Sequence, residues 1–163
     1  MNPTRTLSIA ISSLVLLSAS GAWSDEENYI SDSNGCKIAN PSPRPNETVT
    51  WSGACKDGFA EGAGVMQWTE YKQPGPRYEG TLAHGALSGE GKLTLPDGST
   101  YEGGWLGGRQ NGQGILRSSD GGSYKGTWKN GRPDGRGVLR AATGETVEGV
   151  WKDGTYQGPA KEP

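Results

Sequence analysis

The sequence predicts an all-β fold, an elongated open antiparallel sheet of tandem β-hairpins, and three observations carry that expectation. The 163 residues include 28 glycines, only 31% hydrophobics and one phenylalanine, too little apolar material for a large layered core. Six Trp and six Tyr are nonetheless present, and disordered segments are poor in aromatics. The rings and glycines recur in register at a fixed interval, the signature of a repeat architecture. No helix signal follows the first two dozen residues, because glycine is too frequent for a helix to persist.

Residues 1–24 are of a different material. Arg5 is the only charge before Asp25, and the chain from Leu7 to Leu17 is mostly apolar. Small residues follow, and Ser20-Gly21-Ala22 or Ala22-Trp23-Ser24 suits a signal peptidase. This layout predicts a cleaved signal peptide. The alternative is a retained anchor, but the run contains serines and falls short of the roughly 20 residues that a span needs. The protein is therefore expected to be exported, either periplasmic or secreted. Cleavage removes Arg5 and no acid, leaving 15 bases against 18 acids.

Residues 25–50 carry five acids (Asp25, Glu26, Glu27, Asp32, Glu47) and two bases (Lys37, Arg44), with Pro41, Pro43 and Pro45. They are expected to form an N-terminal cap over the first edge of the sheet. Cys36 and Cys55 are the only cysteines, and an even pair in an exported chain reads as a disulfide. It would pin the cap and, by loop-closure entropy, add about 3 kcal/mol.

The array is expected over residues 51–158. Tyr101 and Tyr124 open two units of 23 residues that agree at Gly103/Gly126, Trp105/Trp128, Gly108/Gly131, Gly112/Gly135, Gly114/Gly137 and Leu116/Leu139. Tyr78 opens a unit of the same kind. Trp51 opens a longer one, enlarged by four residues before Tyr78, and Val147 opens a half unit that includes Trp151. Tyr-x-Gly-x-Trp and Gly-x-Gly-x-Leu both have period two, which is strand periodicity. Tyr, Gly and Trp then share one face, with the rings lying over glycines. Asn130-Gly131, Asp97-Gly98 and Asp120-Gly121 suit the tight turns between strands. Each unit is thus one hairpin, in four units and a half, and residues 159–163 form a short tail.

This pattern resembles the MORN (membrane occupation and recognition nexus) repeat, whose core reads Tyr-Glu-Gly-x-Trp-x-x-Gly-x-x-x-Gly-x-Gly. Tyr101 to Gly114 matches it nearly letter for letter and Tyr124 to Gly137 almost as well. Departures lie at the ends: Leu82 and Cys55 stand where Trp is expected, and Trp51 and Val147 where Tyr is. The resemblance implies an elongated antiparallel sheet that acts as a scaffold, a membrane-associated adaptor or a dimerisation module. The repeat also accompanies kinases, but this chain has no room for a kinase domain. The disulfide at Cys55 would occupy the place of a missing ring.

No catalytic grouping stands out, and no cofactor or metal is expected. His84, the only histidine, falls in a turn with no nucleophile placed beside it by any motif. The Gly-x-Gly pairs begin strands, so they present no helix N-terminus to a phosphate. Glu79, Glu102 and Glu148 recur one residue after the unit start, but Lys125 interrupts the series. They read as cross-strand surface charges.

Two features are candidates for binding. One is the insertion from Gln67 to Arg77, with Trp68 and Tyr71 exposed to a partner or with Trp68 folded over the core. The other is a basic strip. Between residues 101 and 140 seven bases face three acids, and alternation puts Arg117, Lys125, Lys129, Arg136 and Arg140 opposite the rings. The charge is too diffuse, and the chain too acidic, for nucleic acid. The expected function is a non-enzymatic interaction module of the cell envelope or exterior, for a protein partner or an anionic membrane surface. Homodimerisation through the sheet ends is compatible with it. The rivals are glycan binding by stacking on the aromatic face, and a hydrolase or enzyme accessory.

Overall fold

The structure is a computed structural model that describes residues 28–160. The expected signal peptide, residues 1–24, lies outside the described residues, as does the end of the tail. Thirteen strands follow in order: β1 (Tyr29–Ser31), β2 (Lys37–Ala39), β3 (Glu47–Trp51), β4 (Ala54–Lys56), β5 (Phe59–Glu70), β6 (Gln73–Ala83), β7 (Ala86–Thr94), β8 (Thr100–Leu106), β9 (Arg109–Arg117), β10 (Ser123–Lys129), β11 (Arg132–Arg140), β12 (Thr146–Lys152) and β13 (Thr155–Gly158). From β5 to β13 each strand pairs with the next, in one open sheet of successive antiparallel hairpins. No helix occurs among the described residues.

Register turns the repeat into rows that cross the sheet. One row runs Met66, Tyr78, Leu93, Tyr101, Leu116, Tyr124, Leu139 and Val147. Two residues along each strand lies a row of glycines, from Gly64 through Gly91, Gly114 and Gly137 to Gly149. The tyrosine rings lie flat over that second row. A β-carbon at Gly91, Gly114 or Gly137 would run into the hydroxyl of Tyr78, Tyr101 or Tyr124 respectively. Here the sequence needs glycine for the space it leaves empty.

Trp105 and Trp128 close the pattern. Each donates its indole N–H to the carbonyl of a glycine in that row, Trp105 to Gly91 and Trp128 to Gly114, both at 3.2 Å. The rings interleave as Tyr78, Trp105, Tyr101, Trp128, Tyr124 and Trp151. Each is edge-to-face with the next, with centroids 5.0–5.6 Å apart. Such contacts contribute about 0.5–1.5 kcal/mol each beyond area burial. A single sheet with few aliphatic residues thereby acquires a continuous buried ladder along one face. Tyr78 is 0% exposed, Tyr101 and Tyr124 1%.

Each tyrosine also holds an irregularity of its strand. Register shifts occur between Gly80 and Thr81, Gly103 and Trp105, and Gly126 and Trp128. The carbonyls at these points, of Thr81, Gly104 and Thr127, accept the hydroxyls of Tyr78, Tyr101 and Tyr124. Burial pushes the Tyr78 and Tyr124 hydroxyls up to about 12 and raises Tyr101 as well, so all three remain protonated donors.

The N-terminal end departs from the simple hairpin expected there. The strand that should run from Trp51 breaks at Ser52-Gly53. Its halves, β3 and β4, both pair with β5, and β3 begins at Glu47, inside the segment expected to be cap. Trp51 still takes the tyrosine role, its ring covering Gly53 and Gly64. Ahead of it β1 and β2 form a small hairpin, joined to the array by one parallel pair, Lys37 with Phe59, and by the Ala39 N–H on the Gly85 carbonyl at 2.9 Å. The disulfide Cys36–Cys55 is present. Cys36 is buried and Cys55 exposed, so Cys36 and Ile38, rather than Cys55, join the core cluster.

The insertion forms strand. It lengthens β5 and β6 into the longest hairpin of the sheet, turning at Tyr71 and Lys72.

Candidate interaction surface

A one-layer sheet has two faces, and burial assigns them different tasks. On the ring face the aromatics enclose one another, so Tyr78, Tyr101, Tyr124, Trp105, Trp128 and Trp151 are 0–5% exposed. They have no free face on which a planar ligand could stack. The rings that the rival glycan reading would use are thus consumed by packing.

The outer face carries the chemistry that remains available. Alternation along β9, β10 and β11 places Arg117, Lys125, Lys129, Arg136 and Arg140 there, all exposed. Among the described residues none of the five forms an ion pair with an acid. Lys125 stands opposite Ile115 on one side and Val138 on the other. Arg117 and Arg140 flank Ser123 in the next row. Strands are about 4.8 Å apart and alternate residues about 7 Å, so the five bases occupy one patch within a few Debye lengths of one another.

Acids are scarce on these strands. The single carboxylate of β9–β11 is Asp134, whose Oδ2 accepts the Lys152 ammonium at 2.8 Å. That bond lowers the Asp134 pKa and raises that of Lys152. Asp134 is therefore bonded to β12, and of the five bases only Lys129 acts on it, through space. Toward β6–β8 the outer face differs, since Glu79, Lys92 and Glu102 stand directly opposite one another in alternating sign. Glu79 and Glu102 are thus placed as cross-strand partners of Lys92, whereas Glu148 stands opposite Val138.

Trp68 and Tyr71 separate. Trp68 is half-buried, opposite Val49, and packs against the core cluster. Tyr71 is 59% exposed at the hairpin tip, with φ of 48° followed by 63° at Lys72. His84 lies exposed in its turn, but its ring stacks on Phe59 at 3.5 Å between centroids. Its backbone N–H donates to the Glu61 carboxylate at 2.8 Å. Among the described residues no group of three His, Cys, Asp or Glu side chains converges as a metal site. A shallow groove of about 210 Å³ opens between the turns after β9 and β11, over Leu116, Tyr124 and Leu139.

Sequence reasoning passed over three contributors to the outer face. Ile115 and Val138 lie there beside Lys125, and Arg132 stands opposite Lys129. The alternation that places Leu116 and Leu139 inside puts Ile115 and Val138 outside, so that signal was present.

In comparison with known proteins, a family model described as MORN repeat matches residues 52–71, 78–100, 101–123 and 124–146. These segments make up more than half of the chain and coincide with the successive hairpins. No curated protein matches the sequence.

Proposed function

The chain belongs to the MORN-repeat family, whose repeats are generally non-catalytic modules for protein or membrane-lipid binding, and from that premise we propose that it is an interaction module of the cell envelope or exterior that meets an acidic partner surface with the outer face of β9–β11. The observation that carries this reading is the set of five exposed bases, Arg117, Lys125, Lys129, Arg136 and Arg140, on strands whose one acid is bonded to Lys152. The disulfide supports the location, since such bonds persist in oxidising compartments, and so does the charge pattern of residues 1–24. The ring face holds the sheet together and takes no part in the contact.

Each base near an anionic bilayer contributes about 1 kcal/mol, screened within a Debye length. Several together give a weak attachment that salt reverses. Purified protein is expected to co-sediment with anionic vesicles at low salt and to release as salt rises to about 0.5 M, where the Debye length is only about 4 Å. Replacing Lys125, Lys129, Arg136 and Arg140 with Ser should abolish attachment and leave the melting temperature unchanged. Attachment that survives either treatment would move the contact to another surface. Mass spectrometry of the native protein checks export: the chain should begin near Trp23 or Asp25, and an intact Met1 would refute cleavage.

A further inference from the structure

One row of the outer face, which runs into the basic patch at Arg117 and Arg140, has a composition unlike the others. Read across the strands it runs Arg77, Thr94, Thr100, Arg117, Ser123 and Arg140, from β6 to β11. The row contains no acid. Arg77 is held by Glu79 of its own strand, whereas Arg117 and Arg140 are exposed and unpaired with any acid among the described residues. The hydroxyls between them both donate and accept.

We propose that this row is a binding track for a linear acidic polysaccharide, one bearing a carboxylate or sulfate on every second sugar. The inference goes beyond the acidic-surface reading, though it shares Arg117 and Arg140 with it. Three features of the row match such a chain. First, Arg117 and Arg140 are two strands apart, about 10 Å, and an extended pyranose chain advances by close to one strand spacing per sugar. Anions on alternate sugars therefore meet alternate strands. Second, Ser123 lies between the two arginines, where the intervening neutral sugar presents uncharged hydroxyl or amide groups. Third, Ile115 and Val138 lie one row inward on β9 and β11, where they offer apolar contact to the C–H face of a sugar ring. Lys125 stands between them.

Shape favours a thread over a plane. Neighbouring strands rotate by about 20–25°, so the row turns by about 110° between β6 and β11. A flat bilayer touches only a few adjacent strands of such a face, and a flexible chain follows all of them. The hydroxyl-rich part of the row, at Thr94 and Thr100, lies away from the concentrated charge, where a membrane would gain little and a sugar chain gains hydrogen bonds.

The test is affinity electrophoresis of the purified protein through gels containing hyaluronan, whose charge falls on every second sugar, or neutral dextran, run beside co-sedimentation with anionic vesicles. Hyaluronan should retard the protein and dextran should not. Ser123→Asp places an acid between the two arginines and should weaken hyaluronan binding by about tenfold or more, as like-charge contacts do. Ser123→Thr should retain it. Lys129→Ser with Arg136→Ser, which lie off the row, should weaken vesicle attachment and leave hyaluronan binding in place. If vesicles bind and hyaluronan does not, the track is refuted and the acidic-surface reading stands. If neither binds, both are refuted. Equal retardation by dextran, or full hyaluronan binding by a folded Ser123→Asp variant, also overturns the track.

Discussion

The two ends of the sheet face the same difficulty, an exposed strand edge and an incomplete ring ladder, and they meet it by different means. At the N-terminal end the solution lies outside the repeat. An added hairpin, β1–β2, is joined to the array by the Cys36–Cys55 bond and a few backbone contacts, and brings Cys36 and Ile38 into the core. At the C-terminal end the solution is made from the repeat itself. Val147 stands where a tyrosine belongs, so no ring of β12 covers Gly149. Tyr156 of β13 supplies the ring instead, lying against Gly149 with its hydroxyl on the Glu148 carbonyl at 3.1 Å. The replacement is partial. Tyr156 is 38% exposed, and Trp151 Nε1 is the one buried side-chain polar atom without a partner among the described residues. One end thus depends on a covalent bond, and so on redox conditions, and the other on a single half-exposed ring.

The largest expected effect calibrates both ends against the middle. Trp128→Ala removes a ring packed between Tyr101 and Tyr124 and a bond to the Gly114 carbonyl. Truncations of this kind cost about 3–5 kcal/mol, and the variant should be largely unfolded at ambient temperature. Trp151→Ala should cost about 1–2 kcal/mol less, because its indole N–H gives up no hydrogen bond. Denaturant titration of both variants decides the matter, and equal losses would show that the C-terminal end is no weaker than the centre.

Legibility follows the same division between centre and ends. Hairpins β6–β11 could be read directly, because Tyr-x-Gly-x-Trp names a face, a spacing and a void in five residues. The lengthening of β5 and β6 could not, since Pro74, Gly75 and Pro76 are residues that strands disfavour. They are tolerated because β7 stops pairing at Arg77, which leaves the start of β6 an edge where proline's missing N–H costs nothing. On the outer face, the same alternation leads to five bases that are all exposed. The Asp134–Lys152 bond joins strands β11 and β12, so no local pattern announces it. Tyr156 was equally hidden, because it serves a position, Val147, on the neighbouring strand.

The second prediction tests the N-terminal end. Reduction of the disulfide, or Cys55→Ser, should cost about 3 kcal/mol by loop-closure entropy and lower the melting temperature by several degrees or more. Hydrogen exchange should quicken first in β1 and β2, with β8–β11 still protected. Uniform loss of protection would mean that the clasp supports the whole sheet rather than its own end.

The smallest effect is the most informative about the C-terminal end. Tyr156→Ala removes a ring that is buried over only part of its surface, so it should cost about 1–2 kcal/mol. Val147→Tyr restores the repeat's own ring, but the space over Gly149 is already occupied by Tyr156. Alone, therefore, it should bring no gain and should loosen β13. In the V147Y background, however, Tyr156→Ala should be nearly neutral, because the restored ring covers Gly149 from its own strand, as Tyr124 covers Gly126 and Gly137. The two substitutions should thus be non-additive by about 1 kcal/mol, within the range seen for residues in contact. A double-mutant cycle on thermal stability measures this directly. Additive costs would mean that Tyr156 packs for its own sake, and that the half repeat ends the ladder at Trp151 rather than borrowing a ring to complete it.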